Sequence, residues 1–151
     1  MEIAHKEIIQ TPTLVSKCWH GLMGGIKLTE EQLVNLYAEL KPTPKAVCKR
    51  LCFPCEMKPD ETVVSHHLKR FIRELNEDKL GRFVRFCTGS DLLISKKISV
   101  EFVNVSGLAR RPVSQTCNSI LELPKTYDNF PEFRAEFVSV LESNVWVMDI
   151  V

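Results

Sequence analysis

The sequence predicts an α+β fold on three observations. Apolar residues recur at the helical period of 3.6 in successive segments up to Gly89, the period falls to 2 from Lys97 onward, and prolines or glycines punctuate the changes. Helices gathered first and strands placed late argue against alternating βα units. The 151 residues, 44% hydrophobic and 26% charged, suffice for one packed core and give no sign of disorder.

Residues 1–10 carry Ile3, Ile8 and Ile9, too short a pattern to type. Thr11-Pro12 can cap and open a helix over residues 12–23, closed by Gly24-Gly25, with Leu14, Cys18, Trp19 and Leu22 on its apolar side. Thr29-Glu30-Glu31-Gln32 is a capping box that predicts a helix to Leu40. Leu33, Leu36, Tyr37 and Leu40 then share one face, expected to be buried, and Pro42 ends the element. Thr43-Pro44 repeats the start signal for a short helix through Val47 and Leu51, stopped near Pro54. Pro59-Asp60 opens a longer helix whose Val64, Leu68, Phe71, Ile72 and Leu75 form the packing stripe. Asn76 caps the next, with Leu80, Phe83, Val84 and Cys87 in register and Gly89 as its stop; Gly81 inside it costs about 1 kcal/mol against alanine.

Ile98, Val100 and Phe102 alternate with Ser99 and Glu101, the pattern of a half-buried strand. A polar loop with Ser106, Gly107, Arg110, Arg111 and Pro112 follows, then a second strand, SILEL, closed by Pro124. Asn129-Phe130-Pro131 starts a last helix lined by Phe130, Phe133, Phe137, Val140 and Leu141, and residues 145–151 read as a final strand apolar on both sides.

Charge and composition exclude several functions. A formal net charge of +1 gives no broad field for phosphates, so no nucleic-acid partner is expected; the densest basic stretch, Lys69, Arg70, Arg73, Lys79, Arg82 and Arg85, is interrupted by Glu74, Glu77 and Asp78. No secretory pattern opens the chain and no apolar run nears the ~20 residues that cross a bilayer, so no membrane partner is expected and the protein is placed in the cytoplasm or nucleus. There the six cysteines are expected as free thiols, metal ligands or a catalyst rather than as disulfides. Serine-hydrolase, metalloprotease, P-loop and dinucleotide motifs are absent, and Cys18-Trp19-His20 lacks the flanking motif of papain-like proteases.

Cys117 is the strongest candidate for chemistry. It stands at a loop-strand junction among polar residues and follows Arg110 and Arg111, charges that favour the nucleophilic thiolate. A structural cysteine at a strand start and two solvated arginines are the alternative. Cys48, Cys52 and Cys55, with His66, supply four potential zinc ligands, but no second Cys-x2-Cys pair partners Cys52 and Cys55 as in structural zinc sites. Cys48 and Cys52, four apart on a helix, serve equally as core residues, so neither metal nor cofactor is expected.

Thr116-Cys117, followed by Leu121, Leu123-Pro124 and Tyr127 and preceded by Phe86-Cys87-Thr88-Gly89-Ser90, resembles the C-terminal lobe of HECT-type ubiquitin ligases. The resemblance runs from about Phe83 to Leu141, and RFCTGSDLL with the closing VWVMDIV is most similar to the divergent HECT ends of G2/M-phase-specific ubiquitin ligases. It implies that Cys117 accepts ubiquitin as a thioester from a conjugating enzyme and passes it to a lysine of a protein substrate, without a cofactor. It further implies supporting roles for Thr116, Gln115, Arg110 and Arg111, and a ubiquitin tail laid as an added strand along Asn118, Ser119, Ile120 and Leu121, toward Leu123. Asp128 and Asp149 would be available to orient the incoming lysine. Residues 1–57 are then a helical segment corresponding to the end of the N-terminal lobe, and residues 58–151 the catalytic lobe. Since the family's docking surface for conjugating enzymes lies in the N-terminal lobe, the chain is expected to be a fragment or to work with a partner. Gln115 stands where many members carry histidine and Asn118 where an aromatic often follows, and glutamine cannot carry a proton near neutral pH. The rival reading is a non-catalytic HECT-like module that binds ubiquitin or another protein.

Overall fold

A computed structural model describes residues 28–107 and 110–143, so the helix expected over 12–23 and the strand expected over 145–151 lie outside the described residues. The described residues form a mixed α+β structure of five helices and one four-stranded sheet. The order is α1 (Glu30–Leu40), α2 (Pro44–Arg50), β1 (Leu51–Cys52), α3 (Pro59–Glu74), α4 (Glu77–Thr88), β2 (Ile98–Val103), β3 (Val113–Gln115), β4 (Ile120–Pro124) and α5 (Phe130–Glu142). Contacts divide the chain into two compact units, Met1–Glu39 and Leu40–Val151.

Side chains start the helices where the sequence placed them. The Thr29 hydroxyl accepts from the Gln32 backbone N–H at 3.2 Å while the Gln32 side-chain Oε1 accepts from the Thr29 N–H at 2.9 Å, a reciprocal capping box. Thr43, Asn76 and Asn129 accept from Ala46, Lys79 and Glu132 N–H groups at the starts of α2, α4 and α5. Glu61 caps the Lys58 N–H ahead of α3. Gly89 ends α4 with φ +81°, a left-handed residue that glycine adopts without strain.

Two expectations change. None of α1 is buried, and Leu33, Leu36 and Tyr37 are exposed; amphipathic spacing identifies the face that favours burial without supplying what covers it. The short helix of residues 44–50 also stops ahead of its expected end near Pro54, because Leu51 and Cys52 pair with Ile98 and Ser99 as β1, which puts Cys52 on a strand and exposed instead of on the helix with Cys48.

The sheet has the order β1-β2-β4-β3, with β1, β2 and β4 parallel and β3 antiparallel to β4. Leu51, Ile98, Val100, Leu121 and Leu123 turn inward and are buried, whereas Ser99, Glu101, Ile120 and Glu122 alternate to the other, more open face. The two-residue period thus decides which face meets the helices.

Aromatic rings fill the core between α3, α4 and α5. Phe137 lies 4.9 Å from Phe71, 5.5 Å from Phe133 and 5.7 Å from Phe83 between ring centroids, all four buried. Outside it, the basic stretch of α3 and α4 is largely paired within the chain: Arg70 with Glu74, Arg82 with Asp78, Lys79 with Glu142 and Arg85 with Asp91. Among the described residues no helix is long and apolar enough to cross a membrane.

His67 packs between α3 and α5, its ring 5.7 Å from Phe130 and 5.8 Å from Phe133, and its buried Nε2 has no hydrogen-bond partner. Burial foremost, with the Arg70 and His66 charges, holds its pKa below the usual histidine value. The unfolded chain therefore binds the proton more readily, so this histidine's contribution is constant above about pH 6.5 and stability falls as pH drops from there through the lowered folded value. Urea unfolding midpoints should fall between pH 7.5 and 5.5, and His67→Phe should flatten that dependence; an equally steep profile in the variant would assign it to other groups.

Candidate functional site

β3 and β4 form a hairpin at the edge of the sheet, with Val113 opposite Glu122, Ser114 opposite Leu121 and Gln115 opposite Ile120. Residues 116–119 make the turn, closed by the Asn118 N–H to the Gln115 carbonyl and the Ser119 N–H to the Thr116 carbonyl, each at 3.2 Å. Cys117 sits in this turn and is exposed. The junction expected from sequence is thus a hairpin tip, because residues 113–115, read there as loop, pair as a strand. Three residues with a proline just before them are too short to reveal alternation.

The structure brings together two sequence motifs far apart in the chain. The C-cap of α4, in Thr88-Gly89-Ser90, abuts the turn, and a Cβ built on Gly89 would stand 3.7 Å from the Thr116 Cβ. Thr88 fixes that corner by donating to the Val84 and Ser90 carbonyls at 2.9 and 3.1 Å. From the other side the Ser99 N–H donates to the Ser119 carbonyl at 2.9 Å, and the Ser119 and Ser95 hydroxyls pair at 3.0 Å. Ser95 and the exposed Lys96 and Lys97 after it had no sequence motif to single them out; only the pairing of β2 with β4 carries this segment to the turn.

Gln115 is exposed and its Nε2 donates to Glu122 Oε1 at 2.6 Å across the hairpin, which fixes its amide. Arg110 is engaged elsewhere. Its Nη2 reaches Glu132 Oε1 at 2.6 Å, its Nε Glu136 Oε2 at 3.1 Å and its Nη1 the Thr126 carbonyl at 3.0 Å, with the guanidinium 4.9 Å from the centre of the Tyr127 ring. The Glu132 contact foremost pushes the guanidinium pKa further up and in turn holds the Glu132 carboxyl below its usual range. Burial and the hydrogen bond to Glu136 push the Tyr127 phenol up. Two carboxylates on α5 answer the Arg110 charge, so it clamps the approach to β3 rather than standing free beside the thiol. Arg111 and Asn118 are exposed, and Arg111 makes no ion pair among the described residues. Asp128 is exposed before α5, and Asp149 lies outside the described residues.

Of residues 118–121, where the resemblance lays a partner strand, 118 and 119 lie in the turn and 120 and 121 in β4. β4 is paired on both sides, with β2 and with β3, and Leu121 is fully buried. Among the described residues, residues 120–122 thus have a strand on either side. Among the described residues β3 has no strand on its outer side, next to Cys117.

The other described cysteines differ in access. Cys87 is wholly buried, which pushes its thiol far up, and burial also raises half-buried Cys48, whose Sγ lies 4.0 Å from the Lys69 carbonyl. Cys52 and Cys55 are exposed, at β1 and the bend after it. Among the described residues no three His, Cys, Asp or Glu side chains are grouped so that they could hold a metal ion.

No family model matches the chain. One curated relative, a bifunctional serine/threonine-protein kinase/NEDD4-like E3 ubiquitin-protein ligase of Dictyostelium discoideum, is 31% identical over 88 residues, 56% of this chain. The chain spans 4% of that relative's length.

Proposed function

We propose that this chain is the ubiquitin-accepting lobe of a HECT-type ubiquitin ligase, with residues 58–151 as the lobe and G2/M-phase-specific ligases as its nearest type. The observation that carries the reading is an exposed Cys117 at a hairpin tip resting on Thr88-Gly89-Ser90, together with the similarity to a ubiquitin ligase. The partners are ubiquitin, a conjugating enzyme and a protein substrate, and the setting is the reducing cytoplasm or nucleus.

The Cys117 thiol first loses its proton to solvent. The thiolate then attacks the carbonyl carbon of the thioester joining the last residue of ubiquitin to the conjugating enzyme; a new C–S bond forms, the old one breaks, and the conjugating enzyme leaves as thiolate. A substrate lysine amine attacks the new thioester, forming an amide and releasing the Cys117 thiolate, while the amine's proton passes to water. Exchange between similar thiols is nearly thermoneutral, so positioning matters more than a proton relay. An extended ubiquitin tail fits the edge of β3, Val113–Gln115, that has no strand beside it among the described residues, leading to the thiol in the adjoining turn. The rival, a binding module with an idle cysteine, is favoured by Gln115, which is tied to Glu122 and supplies no proton carrier.

Ubiquitin bearing a thiol-reactive C-terminus tests the assignment directly. The expected result is a single adduct on Cys117 by peptide mapping, despite exposed Cys52 and Cys55. No adduct, or labelling spread over the exposed cysteines in proportion to access, would favour the binding module.

A further inference from the structure

Ser119 is, among the described residues, the only non-glycine residue with positive φ, at +51°. L side chains crowd the backbone there, and glycine or asparagine is the usual solution in a turn. Strain of this kind persists where the surroundings over-determine it, and it collects at functional sites. Three hydrogen bonds supply that constraint: the Ser119 N–H to the Thr116 carbonyl, the Ser99 N–H to the Ser119 carbonyl, and the Ser119 hydroxyl with that of Ser95. Glycine would take the same backbone shape more easily but would lose the third.

The hydroxyl pair joins segments 24 residues apart, the turn and the stretch that leads from α4 into β2. The turn is therefore fastened at its end to Ser95 and Ser99 and supported at its start by Gly89, with Cys117 between the two supports. A four-residue turn held only by its own two hydrogen bonds would let the thiol sample several directions.

The geometry points to Ser119, paired with Ser95, as the positioning residue for Cys117. It touches neither the thiol nor the reacting carbonyl. It fixes the last turn residue, and through it the direction in which the thiol leaves the hairpin. The inference rests on the reading of Cys117 as the ubiquitin acceptor.

The test compares wild type with Ser95→Ala, Ser95→Thr, Ser119→Gly and Ser119→Ala in the full chain, each checked for an unchanged circular dichroism spectrum. Two rates are read: labelling by saturating ubiquitin with a thiol-reactive C-terminus, which depends on alignment, and alkylation of Cys117 by iodoacetamide, which depends on access. The saturated ubiquitin rate should fall about tenfold in Ser95→Ala and in Ser119→Gly, with half-saturating ubiquitin and iodoacetamide rates unchanged, and Ser95→Thr should retain most of the wild-type rate. Ubiquitin rates equal to wild type in all variants would overturn the positioning role while leaving Cys117 as acceptor. Parallel losses in both rates would also overturn it, because they would mean general loosening of the turn. Wild type that fails to label at Cys117 would remove the acceptor reading itself, and the positioning role with it.

Discussion

Phe137→Ala should cost about 3–5 kcal/mol of folding free energy and lower the thermal midpoint by roughly 10–20 °C. The side chain is fully buried on α5 and meets Phe71 of α3, Phe83 and Phe86 of α4, and Phe133 of its own helix. Removing the ring withdraws its apolar surface from the core and leaves a cavity that four rigid neighbours cannot collapse to fill. The aromatic pairings add about 0.5–1.5 kcal/mol each beyond area, so the loss belongs at the upper end of the range. Against a typical domain stability of about 5–15 kcal/mol, the substitution removes a large share of the folding margin. Thermal and urea melts followed by far-UV circular dichroism measure this. A midpoint within a few degrees of wild type would mean that α5 does not organise the core. Phe102 provides the internal comparison: it is only half-buried, stacked on Phe53 at 6.3 Å, and its truncation should cost clearly less.

The core was legible because its signals are local. Phe130, Phe133, Phe137 and Leu141 recur at helical spacing behind an Asn129 cap, and those four are the buried residues of α5. Ile98 and Val100 alternate with Ser99, so the inner face of β2 could be read directly. What failed depended on partners distant in sequence. Two residues cannot display a period, so β1 became visible only when Leu51 and Cys52 paired with β2; the same holds for β3 beside β4. Arg110 failed for a related reason. Its sequence neighbour is Arg111, but the partners that define its environment, Glu132 and Glu136, lie 22 and 26 residues away on α5. Cys117 was legible as an accessible thiol, while its supports at Ser95, Ser99 and Gly89 needed the fold.

Replacing the Cys117 sulfur with oxygen should separate a transfer site from an idle cysteine. With ubiquitin-charged conjugating enzyme at high concentration, wild type should form a ubiquitin adduct that a reducing thiol removes. Cys117→Ser should form it roughly 10³-fold more slowly, since a hydroxyl is scarcely ionised near neutral pH, but the resulting oxyester should resist the reducing thiol and yield to hydroxide. Cys117→Ala should form neither adduct. The serine variant carries the argument because it keeps the turn: the side chain is exposed, and the turn hydrogen bonds run between backbone groups of Gln115, Thr116, Asn118 and Ser119. Its folding midpoint should therefore stay within about 0.5 kcal/mol of wild type, the range of ordinary surface substitutions. Buried Cys87 and half-buried Cys48 should not substitute for the missing thiol, since burial disfavours their ionised forms. An adduct that persists in Cys117→Ala would place transfer on another cysteine, Cys18, Cys52 or Cys55. Silence from wild type and the serine variant alike, with the same chain still able to bind ubiquitin, would select the binding module, with Gln115 as the departure from the HECT pattern that accounts for it.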